Sequence, residues 1–248
     1  MKKIGVYSTV FFFCFLLNSS YRGEKSDFFR KIIKTSIIVP CHPAHAPYLY
    51  NLLKCYEKQT VLPTEVVISL SEADRVDNDL IKRLQEKKWA FPVKLILNEQ
   101  KLYAGENRNK ACESAIGDVF ICQDADDIPH PQRVEVIRYL FQKYDIDHLM
   151  HQFIKITSFQ ATVKSFNDYN DLDSMPFFYR KDLKVKVPDL TNGNVAISRN
   201  VFKQIQWSHR PRAQDVVFCK SVYQQFSNCI VLPRVLIGYR QFLSTQNL

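Results

Sequence analysis

Glycine is scarce in this chain, and the shortage limits how the protein can bind phosphate groups. Only six of the 248 residues are glycine, where an average composition would give roughly 17. No two of them stand close enough to form a G-x-G-x-x-G turn or a G-x-x-x-x-G-K-S/T loop, the glycine-rich structures that commonly cradle phosphates. Any phosphate that the protein binds must therefore be neutralised by other groups.

Cysteine pairs with metal-site or redox spacing are also missing. The seven cysteines are an odd set without a C-x-x-C pair. Four of them lie in apolar stretches, where cysteine mostly behaves as a small buried hydrophobic residue: Cys55, Cys122, Cys219 and Cys229. This usage argues against a disulfide framework and favours a reducing compartment.

The positive charge is not gathered into a block. The formal net charge is +9, but seven of the 34 lysines and arginines fall within residues 1–35, and the others are spread along the chain. Nucleic-acid-binding proteins usually concentrate their positive charge on one face or stripe, so we expect no nucleic-acid partner. With 46% hydrophobic and 24% charged residues, the composition is that of a globular protein.

The apolar run at residues 4–17 is shorter than the ~20 residues that a transmembrane helix needs. It follows Lys2-Lys3 and precedes Asn18-Ser19-Ser20, a possible cleavage site. The run therefore fits a signal peptide as well as a thin membrane anchor, and a start codon placed too far upstream is a third alternative. More basic residues follow the run than precede it, which favours a cytoplasmic domain on its C-terminal side.

The N-terminal segment divides the chain in two. We expect residues 1–34 to be a hydrophobic signal or anchor segment with a basic linker, and residues 35–248 to be one membrane-associated domain facing the cytoplasm. Cleavage of a signal peptide would instead export this domain or place it in a lumen.

From residue 35 onward, short apolar runs alternate with segments of helical periodicity, which is typical of an α/β domain. The predicted strands are 36–40, 65–70, 93–97, 119–122, 149–158, 195–198 and 230–239, and the predicted helices are 48–59, 79–88, 106–115, 132–144, 200–205 and 214–225. Pro233 predicts an edge or a break in the last strand. The sheet should be mixed and mostly parallel, and ligands on such sheets bind beyond the carboxyl ends of the strands. The loops expected to form the site are 40–47, 70–78, 98–108 and 123–131.

Three carboxylates, those of Asp124, Asp126 and Asp127, come directly after the predicted strand 119–122. Carboxylates this close repel each other unless a cation or hydrogen-bond donors lie among them. Oxygen ligands favour Mg²⁺ or Mn²⁺, which bind substrate phosphates in their remaining positions. The pattern therefore predicts a metal site, and the alternative is a solvated acidic turn ahead of a helix that a proline opens.

Residues 35–240 resemble a family 2 glycosyltransferase with the GT-A fold, because several short segments occur in the family's order. These segments are Ser36–Pro40 as the opening strand, Gln59-Thr60 with Pro63 and Glu65–Ile68, Ala104–Ala111 ahead of Ala115–Asp118, Asp124–Asp127 as the DxD motif, Asn192–Asn194, Gln214-Asp215, and the terminal Tyr239-Arg240. The resemblance implies a GT-A-like single domain. It also implies an enzyme that moves a sugar from a nucleotide-diphosphate sugar to an acceptor hydroxyl, with a divalent metal and inversion.

The resemblance also implies roles for residues on the donor side of the site. Pro40 and the following loop would face the nucleotide base, and Arg108 would support the nucleotide or its diphosphate. Asp124 would reach the ribose and share the metal, and Asp126 would hold the Mn²⁺ or Mg²⁺ that bridges the two phosphates. A UDP-sugar is the expected donor.

On the acceptor side, the resemblance implies that Asp215 is the general base that deprotonates the incoming hydroxyl. Asn192, Gly193 and Asn194 would line the sugar and the acceptor, which is a glycan, a lipid or a protein. In-line attack opposite the metal-stabilised leaving group would then invert the anomeric centre, by the logic that applies to inverting glycosidases.

The sequence departs from the family pattern at three places. The second strand usually leads into Asp-Asp-Gly-Ser, but here base recognition falls to Ser71 or Glu72, so GDP, CDP and dTDP are alternatives to UDP. Gln214 stands where an acidic residue often precedes the catalytic base. Gln241 stands where a metal-binding histidine often follows the terminal Tyr-Arg.

Two other functions remain open at this point. A sugar-phosphate nucleotidyltransferase would carry a glycine-rich loop after the first strand, which residues 40–44 do not form. A non-catalytic nucleotide- or carbohydrate-binding protein would tolerate the loss of Asp126 or Asp215, and both are present. A zinc site at His42 and His45 is disfavoured because no cysteine or carboxylate stands at metal-ligand spacing.

Overall fold

The structure, a computed structural model, describes residues 32–156, 166–182 and 192–240. The strands are β1 (Thr35–Cys41), β2 (Glu65–Leu70), β3 (Val93–Leu97), β4 (Val119–Cys122), β5 (Ile128–Pro129), β6 (His148–Ile156), β7 (Phe178–Tyr179), β8 (Val195–Ser198) and β9 (Cys229–Arg240). The helices are α1 (Leu49–Glu57), α2 (Asn78–Glu86), α3 (Ala104–Ser114), α4 (Arg133–Lys143), α5 (Arg199–Gln204) and α6 (Gln214–Gln225). Within the described residues, each predicted strand and helix has a counterpart, whereas the two-residue strands β5 and β7 and several short 3-10 helices were not predicted.

All nine strands join one mixed sheet in the order β3-β2-β1-β4-β8-β6-β9-β5, with β7 paired to β9. The strands β3, β2, β1 and β4 are parallel, and β6 is parallel to β9. Strand β8 runs antiparallel between β4 and β6. The prediction of a mixed, mostly parallel sheet flanked by helices is confirmed. Each antiparallel pairing includes either β8 or β9.

Helices cover both faces of the sheet, as the continuous burial of all seven residues of β1 requires. Ile37 and Val39 pack on one face with α1, α2 and α4. Ile38 packs on the other face with α3, α5 and α6. Because both faces are covered, the carboxyl ends of the central strands are where polar side chains meet solvent.

Strand β9 continues through Pro233 although it is an interior strand of the sheet. Its register with β6 jumps at this point, since His151 pairs with Leu232 while the next residue of β6 pairs with Val235. Pro233 therefore lies in an irregularity where its missing N–H leaves no ladder bond unmade. The pairing with β6 is interrupted at this point, while the strand β9 itself runs unbroken from Cys229 to Arg240.

Two further predictions concern the N-terminal apolar run and the cysteines. The apolar run at residues 4–17 lies outside the described residues, so the signal or anchor stays a prediction. Within the part of the chain that the structure describes, no helix has the length and hydropathy of a transmembrane segment. The six described cysteines are free thiols, as expected from the absence of paired spacing.

Candidate active site

A crevice of about 380 Å³ opens at the carboxyl ends of β1 and β4. Strands β1 and β4 lie side by side here. Ile38 pairs with Cys122, and the carbonyl of Ile38 accepts the N–H of Gln123 at 3.0 Å. The crevice is lined by Pro40, Cys41, His42, His45, residues 101–104, Asn107, Arg108, residues 124–126, Gln214 and Tyr239. Three of the four predicted loops thus contribute to its wall, and the loop 70–78 does not.

The centre of the crevice is an ion pair between Arg108 and Asp124. The Nη2 of Arg108 lies 2.6 Å from Oδ1 of Asp124, and the arginine side chain is only 2% exposed. Its Nη1 donates to Oε1 of Gln214 at 3.3 Å. Charge-assisted hydrogen bonds of this length are among the stronger ones in proteins, so Arg108 is anchored in the site rather than solvated on the helix surface.

Among the described residues, the carboxyl groups of Asp126 and Asp127 form no ion pair with a lysine or an arginine, and His45 is the cationic group in contact with Asp126. Burial raises the pKa of Asp126, and the neighbouring Asp124 raises it further. Burial also raises the pKa of Asp127 well above its usual range, again with repulsion from Asp124. Oδ1 of Asp127 accepts the backbone N–H of Arg240 at 2.9 Å, but its buried Oδ2 has no hydrogen-bond partner in the described structure.

This shortage of positive charge suits a cation, since a bound ion would stabilise the ionised carboxylates. No three His, Cys, Asp or Glu side chains among the described residues converge closely enough to hold an ion by themselves. An ion at Asp124 and Asp126 would therefore complete its shell with phosphate and water oxygens, as Mg²⁺ commonly does. His45 is a further neighbour, with its Nδ1 3.6 Å from Oδ1 of Asp126.

His42 is held away from a metal-ligand role. Its Nδ1 accepts the backbone N–H of Ala44 at 3.2 Å, which leaves the hydrogen on Nε2. That Nε2 lies 3.7 Å from Oε2 of Glu72. The two nitrogens of His42 are thus turned to its own loop and to Glu72.

The terminal Tyr239-Arg240 pair holds the acidic residues from the other side. Nε of Arg240 donates to the carbonyl of Asp126 at 3.0 Å, and its guanidinium lies 4.5 Å from the centre of the Tyr48 ring. Tyr239 lines the crevice directly. The last strand therefore brings residues more than a hundred positions away in sequence to the DxD turn.

The turn Asn192–Asn194 packs against the same carboxylates. A Cβ at Gly193 would lie 3.1 Å from Oδ2 of Asp127 and 3.5 Å from Oδ2 of Asp124, so a larger residue would press on both. Asn194 is buried and its Nδ2 donates to the carbonyl of His151 at 2.8 Å. The side chain of Asn192 lies outside the described residues. The structure thus brings Gly193 to the acids, while Asn194 faces β6.

In the described structure, the turn 192–194 does not line the crevice itself, and neither do the predicted site residues Ser71 and Asp215. Ser71 is fully buried, and its hydroxyl lies 3.4 Å from the carbonyl of Cys41. Asp215 is half-buried in the first turn of α6, where its Oδ1 accepts the N–H of Val216 at 2.9 Å. Its neighbour Gln214 lines the crevice instead. The roles of Ser71 and Asp215 therefore stay predictions.

Backbone strain occurs close to the crevice. Glu72 and Ala213 have φ angles of 46° and 56°, in the left-handed region that costs non-glycine residues free energy. Glu72 contacts His42 of the crevice wall, and Ala213 directly precedes Gln214. Strain of this kind often accumulates at functional sites, and no sequence pattern predicted a left-handed backbone conformation at either residue.

The family comparison agrees with this geometry. Residues 36–206 match the protein family Glycosyl transferase family 2. The chain is 25% identical over 210 residues to an uncharacterized glycosyltransferase, MJ1057, of Methanocaldococcus jannaschii, covering 83% of this chain and 70% of that protein. It is 32% identical over 118 residues to an uncharacterized glycosyltransferase of Haemophilus influenzae, covering 47% of this chain and 37% of that protein.

Solved structures share the fold at low sequence identity. S. aureus TarS 1–349 in complex with UDP superimposes with a TM-score of 0.67 at 17% identity, over 84% of this chain and 61% of that chain. The mannosyltransferase PcManGT from Pyrobaculum calidifontis, in complex with GDP-Man and Mn²⁺, gives 0.62 at 14% identity, over 96% and 65%. The chain spans about three fifths of TarS 1–349. These neighbours confirm the predicted GT-A-like fold.

Proposed function

The chain belongs to glycosyl transferase family 2, and from this premise we propose that it transfers a sugar from a nucleotide-diphosphate sugar to an acceptor hydroxyl, with Mn²⁺ or Mg²⁺ and with inversion. The observation that carries the proposal is the ion pair between the buried Arg108 and the half-buried Asp124 at 2.6 Å, next to Asp126 in one crevice. A fixed arginine beside carboxylates that can hold a metal ion is what the binding of a metal–diphosphate complex requires.

We propose a UDP-sugar as the donor, with GDP-, CDP- and dTDP-sugars as the alternatives. TarS has been solved with UDP and with UDP-GlcNAc, whereas PcManGT has been solved with GDP-Man. The loop 70–78, which follows β2, does not line the crevice wall. We therefore assign recognition of the nucleotide base to the crevice residues that follow β1 and to residues 101–103.

In the proposed reaction, Arg108 orients Asp124 and places a fixed positive charge where a diphosphate enters. Asp124 and Asp126 would hold the divalent cation, which when bound supplies Lewis-acid stabilisation of the diphosphate leaving group. Asp215 would accept the proton of the acceptor hydroxyl as that oxygen attacks the sugar carbon. Attack from the face opposite the leaving group would invert the anomeric centre.

A calorimetric titration of UDP into the full-length protein, with and without Mn²⁺, tests this proposal. We expect binding that depends on Mn²⁺, followed by turnover of at least one UDP-sugar. If UDP, GDP, CDP and dTDP all fail to bind with the metal present, the proposed function is wrong. Metal-dependent binding without turnover of any donor would favour the non-catalytic binding protein.

We further propose that the enzyme is membrane-associated, with its domain in the cytoplasm and a glycan, lipid or protein as acceptor. The apolar run at residues 4–17 and the basic residues that follow it support this location. Fractionation of native cells should find the full-length protein with the membranes. Recovery of all of it in the soluble fraction would rule out the anchor, and recovery outside the cytoplasm in cleaved form would establish the signal peptide.

A further inference from the structure

We propose that Arg133 is a positioning residue that holds two parts of the site in register: the acidic turn, residues 124–127, and the sugar-side turn, Asn192–Asn194. The inference rests on the proposed function in so far as these turns bind the metal and the sugar. Sequence reasoning missed Arg133, because an arginine in the first turn of a helix has the pattern of an ordinary solvent-facing residue.

Arg133 is fully buried at the start of α4, and its guanidinium connects β4 to the sugar-side turn. Its Nη2 donates to the carbonyl of Cys122 at 2.8 Å and to the carbonyl of Gly193 at 2.5 Å. Cys122 is the last residue of β4, two positions before Asp124. One nitrogen thus joins the backbone beneath the acidic turn to the backbone of the sugar-side turn.

The second nitrogen acts through Gln123. Nη1 of Arg133 donates to Oε1 of Gln123 at 2.6 Å, and the hydroxyl of Tyr56 donates to the same oxygen at 2.9 Å. With its oxygen facing two donors, the amide turns its Nε2 to the carbonyls of Asp124 at 2.9 Å and Asp127 at 3.3 Å. The acidic turn is therefore folded around an amide whose orientation Arg133 sets.

The third nitrogen fixes a histidine on β6. Nε of Arg133 lies 3.3 Å from Nε2 of His151, and Nδ1 of His151 lies 2.9 Å from the carbonyl of Gln152. Burial and the adjacent guanidinium lower the pKa of His151 well below its usual value, so the ring is neutral and Nε2 accepts. The carbonyl of the same residue accepts from Asn194, which closes the network on the sugar-side turn.

No carboxylate of the described structure accepts a hydrogen bond from Arg133; all of its acceptors are neutral. A buried charge without a paired carboxylate is costly, and buried ionic groups can often be replaced by apolar residues without loss of stability. The planar fork of arginine instead reaches acceptors in several fixed directions, which the single nitrogen of lysine cannot do. The arrangement therefore favours positioning over stabilisation.

The test compares Arg133→Lys with a matched control, Arg199→Lys. Arg199 also binds backbone carbonyls, those of Gly117 at 2.8 Å and Ala115 at 2.7 Å, but these carbonyls belong to neither the acidic turn nor the sugar-side turn. Both variants should unfold at a lower temperature than the parent. Only Arg133→Lys should weaken Mn²⁺-dependent UDP binding, by about 10-fold or more, as typical for residues that orient metal ligands.

A milder variant protects the test against failure to fold. Tyr56→Phe removes one hydroxyl that contacts both Gln123 and Arg133, and it should weaken UDP binding in the same direction by a smaller factor. Because both residues act through Gln123, the effects of Tyr56→Phe and Arg133→Lys should not be additive. Parent-like UDP affinity in Arg133→Lys, or an equal loss in Arg199→Lys, would overturn the proposal.

Amide hydrogen exchange separates this inference from the proposed function. If the parent binds none of the four nucleotides, the proposed function fails while the positioning role is still tested. Arg133→Lys should then speed exchange in peptides covering 123–128 and 193–198, and Arg199→Lys should not. Unchanged exchange in both peptides of Arg133→Lys would refute the positioning role on its own.

Discussion

Replacing Asp126 with asparagine is expected to abolish Mn²⁺-dependent nucleotide binding and turnover. The variant loses a predicted metal ligand, because the neutral amide of asparagine binds a cation more weakly than a carboxylate does. We expect the UDP affinity to fall by about 100-fold or more, which exceeds the loss that is typical for residues that only orient metal ligands. At a UDP concentration 100 times its dissociation constant, the parent should gain about 2.7 kcal/mol of stability. Asp126→Asn should show no such gain in thermal unfolding.

The ligand-free variant provides an internal check. Burial and Asp124 raise the pKa of Asp126, so its ionised form destabilises the fold at neutral pH. That unfavourable contribution shrinks as the pH falls below the raised pKa, and it is gone below the ordinary pKa of an aspartate in the unfolded chain. Asp126→Asn without nucleotide should therefore be as stable as the parent or more stable. A large loss of stability would assign Asp126 a structural role instead.

Asp118→Asn is the matched control for this variant. Asp118 stands before β4, at the end opposite Asp124 and Asp126, and its Oδ2 accepts the N–H of Lys34 at 3.0 Å. It should bind UDP with Mn²⁺ as the parent does. Retained Mn²⁺-dependent binding in Asp126→Asn would show that the metal is held elsewhere.

Replacing Asp215 with asparagine should keep nucleotide affinity while sugar transfer falls by roughly 10²–10⁴. Asparagine keeps the size of the side chain but cannot accept the proton of the acceptor hydroxyl. Nucleotide binding should persist because Gln214, and not Asp215, lines the crevice beside Arg108. UDP titration together with turnover of the best UDP-sugar and acceptor pair measures both quantities.

The alternative role of Asp215 is to complement the dipole of α6 from its first turn. Asp79 occupies the same position in α2, away from the crevice, so Asp79→Asn measures the dipole contribution alone. We expect Asp79→Asn to leave transfer unchanged and to cost well under about 1 kcal/mol of stability. Transfer at the parent rate in Asp215→Asn would make the base assignment wrong.

The parts of the site that could be predicted from sequence are those that depend on residues close together in the chain. An apolar run followed by carboxylates placed Asp124 and Asp126 at the end of a strand, and parallel strands bring such ends to one edge. The structure has this arrangement, with the acids beside Pro40 and Arg108 in one crevice. The roles assigned to these residues still depend on the experiments above.

The amino-acid sequence by itself determined the strands, the helices and the edge of the sheet where polar groups collect, because each depends on residues within a few positions of one another. Only the tertiary structure decided which distant groups meet there. The ion pair of Arg108 with Asp124 and the fork of Arg133 between Cys122 and Gly193 depend on long-range pairing. A buried arginine is stable only where the folded chain supplies hydrogen-bond acceptors around it. Those acceptors are distant in sequence, so no local pattern predicts them.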